Sequence, residues 1–124
     1  DLAMAERLQD GFGPSIANNF ASLEDFVGQG VAFCALVNGD PSLVAMTNLI
    51  SSKGVRLMFK VNPEHESERM PLSTVASAKL TSACLSEGRQ VEWWTIANTD
   101  NRPGRVGQRL GFVPNEPYEM LVWE

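Results

Sequence analysis

Between residues 55 and 97 the hydrophobic period of this chain passes from two to 3.6 and back to two. In VRLMFKV (55–61), Val55, Leu57, Phe59 and Val61 face one way and Arg56, Met58 and Lys60 the other, the alternation of a strand. From about Leu72, the residues Val75, Ala76, Lys79, Leu80, Ala83 and Cys84 recur as one helical stripe, which Gly88 ends. Pro71 suits the first helical turn, where a missing N–H is tolerated. QVEWWTIA (90–97) is again a strand. A helix joining two strands over so short a span predicts a crossover between parallel neighbours. The tight passage from strand to helix also aims the first helical N–H groups outward, the usual makings of an anion site. The connecting loop is unusual for that purpose: it carries Glu64, Glu66 and Glu68, with only Arg69 opposing them.

The front half has a different pattern. Residues 2–9 form a short helix stopped by Gly11-Phe12-Gly13-Pro14, and Ser22 caps another that Gly28 and Gly30 end quickly. Residues 31–37 are apolar on both faces, which predicts a central strand. Asn38-Gly39-Asp40 is a tight-turn signal leading into a return strand over 43–50. After the crossover unit come a helix at 103–110, closed by Gly111, and a last strand at 118–123. The fold class is α+β, a mixed sheet of about six strands with helices packed on both faces.

With 124 residues, 44% of them hydrophobic, the chain suits one domain with its own core. Ten basic against 15 acidic residues give a net charge of −5, which argues against nucleic acid or an anionic membrane as partner. No apolar run has the length of a membrane span, and the first residues lack the pattern of a signal peptide. A start at Asp1 rather than Met fits a domain trimmed at its N-terminus. Cys34 and Cys84 are too few for a disulfide scaffold and are expected reduced and buried, in a cytoplasmic setting. One histidine and two cysteines offer no metal site.

This order of elements, with Pro63-Glu64-His65 after the longest strand, Leu110-Gly111-Phe112 closing the last helix, and Asp25-Phe26 before Gly30-Val31-Ala32-Phe33-Cys34, resembles the GNAT N-acyltransferases over residues 18–124. The resemblance implies a single acyltransferase domain over 1–124 that takes acetyl-CoA, or another acyl-CoA, as co-substrate. The thioester arm would lie in a wedge between two splayed strands, so the strand at 90–97 should diverge from that at 55–61. Backbone groups at Phe59 and Val61 would pair with the arm, and Arg69, Leu72, Ser73, Thr74 and Asn101 would hold the diphosphate. The acceptor implied is a small-molecule or peptide amine, attacked directly on the thioester with no covalent enzyme intermediate. Glu92 or Glu64 would take the amine proton, and Tyr118 stands as a replacement acid.

Three positions depart from the family pattern. Glu68 stands where its first Arg or Gln belongs, Pro71 where a glycine belongs, and Gly107 where a tyrosine acid is common. These departures suit a second reading, a non-catalytic binding domain with a decayed loop. Plainer roles also exist for several candidates: His65, Glu64 and Glu92 as solvated surface, Tyr118 as a rim tyrosine, and Arg102, Arg105 and Arg109 as surface charge rather than phosphate ligands. Asn98 is an alternative to Asn101. Of Trp93 and Trp94, on opposite faces, at least one belongs in the core, and an exposed Trp123 would suit a homodimer contact.

Overall fold

The computed structural model describes residues 1–62, 69–95, 102–119 and 121, and of 69–71 and 102 the backbone. Helix α1, Leu2–Phe12, starts where the Asp1 carboxylate accepts from the Met4 N–H at 2.9 Å. It runs beyond Gln9, because Gly11 is accommodated inside the last turn and the chain leaves the helix only at Gly13, whose N–H still reaches the Gln9 carbonyl. A 3₁₀ turn, Pro14–Ala17, leads to α2, Leu23–Gln29. As expected, Ser22 caps α2, its hydroxyl accepting from the Asp25 N–H at 3.1 Å, with Glu24 and Asp25 in the first turn.

Strands β1 (Ala32–Val37), β2 (Asp40–Ile50) and β3 (Gly54–Val61) form an antiparallel meander. Val37 pairs with Asp40, so the hairpin loop is Asn38-Gly39, with φ of 50° and 85°. Two positive φ values match the right-handed twist of the flanking strands, which is why Asn-Gly serves there. Helix α3 spans Arg69–Ser86 and returns the chain to β4, Gln90–Trp93, which pairs parallel with β3. The crossover is therefore as the sequence predicts. Helix α4, Arg102–Arg109, follows.

The sheet has four strands in the order β1-β2-β3-β4 among the described residues, not about six. Residues 94 and 95 are irregular where the strand was expected to continue, and Ala97 lies outside the described residues. Tyr118, Glu119 and Leu121 are irregular too, while the rest of the expected last strand, Trp123 included, lies outside them. The order also corrects the reading of β1. Among the described residues it is an edge strand, apolar on both sides because helices cover both faces of the sheet.

Those two faces make two cores. Leu43, Ala45, Val55 and Leu57 pack against Ala76, Leu80 and Cys84 of α3. Val44 and Met46, on the other face, pack against Ala5 and Leu8 of α1, Ile16 of the 3₁₀ turn and Phe26 of α2. The inward stripe of α3 is Ser73, Ala76, Ser77, Leu80, Thr81 and Cys84. Val75 and Lys79, expected in it, are exposed, because the helix turns its smallest side chains to the sheet. Helix α3 closes at Gly88, φ 73°, with Gly88 N–H on Leu85 and Arg89 N–H on Cys84, the paired bonds of a Schellman end. Cys34 and Cys84 are free thiols, Cys84 buried and Cys34 half-buried, on opposite faces of the sheet. No helix among the described residues is long and apolar enough to cross a membrane.

Candidate functional site

The β3–β4 ladder begins at Gly54↔Gln90 and ends at Leu57↔Trp93, with one further bond, Trp94 N–H to the Leu57 carbonyl at 3.3 Å. Strand β3 stays paired with β2 as far as Val61. Among the described residues, 58–61 therefore present an edge of about 13 Å that β4 does not continue along. Backbone direction on that edge follows from two bonds. The Leu57 carbonyl points to β4 and the Asn62 N–H points to Ser42 on β2, at 2.8 Å. Alternation then turns the N–H and C=O of Phe59 and Val61 toward the opening. These are the two residues that the family resemblance implies for pairing with the thioester arm.

Helix α3 stands over the same end. Its C-terminus feeds β4 beside Gly54, so its N-terminus must lie at the far end of β3. The lengths agree: 18 helical residues span about 27 Å and the eight residues of β3 about 26 Å. The N–H groups of Arg69, Met70 and Leu72 belong to the first turn, while Pro71 contributes none. One turn on, Ser73 is buried, Leu72 half-buried, and the Thr74 hydroxyl is buried without a hydrogen-bond partner among the described residues. Ser77, fully buried, likewise leaves its hydroxyl unpartnered there. Ser77 was not singled out from the sequence, although its place one turn beyond Ser73 and Thr74 is visible in it.

Trp93 walls the opening on the α3 face. Its ring lies 6.0 Å from that of Phe59 and 5.7 Å from that of Phe112, and its Nε1–H donates to the Pro103 carbonyl at 2.7 Å. A Cβ built on Gly107 would stand 2.5 Å from the indole Cδ1. The volume that a side chain at position 107 would need is thus taken by Trp93.

Of the proposed proton carriers, Glu92 and Tyr118 are among the described residues. Glu92 is exposed and accepts from Arg56 Nε at 3.3 Å, its partner on the adjoining strand. Tyr118 is 61% exposed in irregular chain. Glu64, His65, Glu68, Asn98 and Asn101 lie outside the described residues. What the structure adds is Lys60. It sits on the uncovered length of β3, on the α1 face, and its ammonium donates to Ser15 Oγ of the 3₁₀ turn. Burial pushes its pKa down. In the sequence it stands, with Arg56, on the face of the strand opposite Val55, Leu57, Phe59 and Val61. A groove of about 290 Å³ lies elsewhere on that face, between α1, α2 and β1, bounded by Leu8, Phe26, Val31 and Cys34. Among the described residues no His, Cys, Asp or Glu cluster could hold a metal ion.

Known proteins share this architecture. A GCN5-related N-acetyltransferase-like protein from Streptococcus suis superposes with a TM-score of 0.74 at 21% identity, over 90% of this chain, which spans 43% of that protein. The aminoglycoside N-acetyltransferase AAC(6')-Iy in complex with CoA gives 0.72 at 16% identity, covering 100% of this chain and 96% of its own. A putative acetyltransferase from Agrobacterium tumefaciens gives 0.63 at 13%, over 99% and 96%. At these identities the likeness is one of fold. No curated protein matches the chain. The family model described as GNAT acetyltransferase matches residues 1–121, and the chain belongs to that family.

Proposed function

We propose that this chain transfers an acyl group, most simply acetyl, from acyl-CoA to an amine. The observation that carries the reading is the end of the β3–β4 ladder at Leu57↔Trp93, four residues short of the end of β3, below the start of α3. An extended amide-bearing arm laid along residues 58–61 completes hydrogen bonds that the sheet leaves to it. That AAC(6')-Iy, which shares the fold, is known in complex with CoA and with a CoA bisubstrate analogue supports acyl-CoA as the co-substrate. The diphosphate then meets Arg69, Leu72, Ser73 and Thr74, with Asn101 as a further ligand. A neutral amine attacks the thioester carbonyl, and the carbon–sulfur bond breaks after the tetrahedral oxyanion has been held by the backbone N–H of Phe59 or Val61. The amine proton passes to a carboxylate, directly or through water. With Glu92 engaged by Arg56, Glu64 is the better placed of the two in sequence, three residues beyond Val61. Tyr118 or water returns a proton to the thiolate.

A second reading, a domain that binds acyl-CoA without turning it over, is favoured by Gly107, which leaves no room for an acid, and by the donor missing at Pro71. Incubation with acetyl-CoA and a panel of small amines, with release of free CoA thiol as the readout, separates the two. Amine-dependent release is expected. Binding of acetyl-CoA with no release above hydrolysis would favour the second reading, and no binding would overturn both.

A further inference from the structure

Lys60 is the basic residue of the β3 stretch that β4 leaves uncovered. Phe59 and Val61 turn to the α3 face, whereas Met58 packs on the other, and Lys60 reaches the 3₁₀ turn there. An ammonium has three N–H donors, and Ser15 Oγ takes one. Three other cations among the described residues pair with carboxylates: Arg7 with Asp40, Arg56 with Glu92 and Arg89 with Glu87. Lys60, less exposed than a surface lysine, has a hydroxyl alone among the described residues. In a chain with 15 acidic and 10 basic residues, a half-buried cation that has no carboxylate among the described residues is a place for an anion brought by a ligand.

We propose that Lys60, braced by Ser15, holds the carboxylate of the acceptor, so that the substrate is an amine that also carries a carboxylate. This rests on the acyl-transfer reading. With the diphosphate at the start of α3 on one face, the acceptor enters from the α1 face, where Lys60 lies. Burial lowers the ammonium's pKa in the free protein, and a bound carboxylate would offset that by favouring the charged form.

The test is acetyl-CoA turnover with the L-amino acids and with their carboxamides, in wild type, Lys60→Gln and Lys60→Arg. Wild type should prefer each acid to its amide. Lys60→Gln should shrink that preference by roughly ten- to hundredfold, through the acceptor's KM rather than that of acetyl-CoA, and Lys60→Arg should restore part of it. Equal losses on acids and amides, or no preference in wild type, would overturn the assignment. If no amine is turned over, the acyl-transfer reading fails by itself, and calorimetric titration of the same acid–amide pairs decides the anchor. Tighter binding of acids by wild type but not by Lys60→Gln upholds it, and equal or absent binding overturns it.

Discussion

Gly107 and Trp93 are two halves of one packing decision. The indole occupies the volume a side chain at 107 would need, with its Nε1–H tied to Pro103. Replacing Gly107 with Ala improves intrinsic helix propensity by about 1 kcal/mol, yet the 2.5 Å contact should dominate. We expect a net loss of about 1–2 kcal/mol in urea unfolding, with a change in near-ultraviolet circular dichroism from a displaced Trp93. The thiols give a second residue-scale expectation. Cys84 is buried, its pKa pushed up by desolvation, and the sheet separates it from Cys34. A thiol reagent should therefore label Cys34 in the folded protein and Cys84 only after unfolding, and oxidation should not join them within one chain. Cys84→Ala should cost about 1 kcal/mol from lost packing. The sequence displayed both thiols as apolar-face residues. It could not display the Trp93–Gly107 exchange, because that contact depends on how α4 folds back onto the strand before it, which no local signal reports.

Among the elements, the ones legible in advance were those whose signals are local. Ser22 caps α2, Asn38-Gly39 turns the hairpin, and Gly88 ends α3, each by a bond or dihedral that the residue type itself demands. Gly88→Ala should accordingly cost about 1 kcal/mol in stability, since alanine is strained at φ 73°. The position of β1 was not legible. Side-chain polarity reports which faces of a strand are covered, and says nothing of which edges are paired. The stripe of α3 was misplaced for a related reason: serines at 73 and 77 look polar, but their small size lets the helix lie close on the sheet. Helix α3 also bears on the candidate site, because Pro71 occupies its third position and removes one of the outward N–H groups. Pro71→Ala restores that donor. Acetyl-CoA affinity should rise about tenfold or more by calorimetry, in keeping with a hydrogen bond to a charged group. No change would mean that the diphosphate lies elsewhere.

For the whole molecule, a two-core sheet sandwiched between helices was predictable from the periodicities, and so was the parallel crossover that opens one strand edge. Read from the sequence, Glu92 is a base that an apolar wedge would desolvate; in the structure it is exposed and paired with Arg56, while Glu64 lies outside the described residues. The central claim is that acyl-CoA lies along the uncovered part of β3 and under the start of α3. Amide chemical-shift mapping during titration with acetyl-CoA tests it most directly. The largest shifts should fall on residues 58–61 and on Leu72, Ser73 and Thr74. Shifts concentrated instead around the groove of Leu8, Phe26, Val31 and Cys34, with those residues silent, would contradict it.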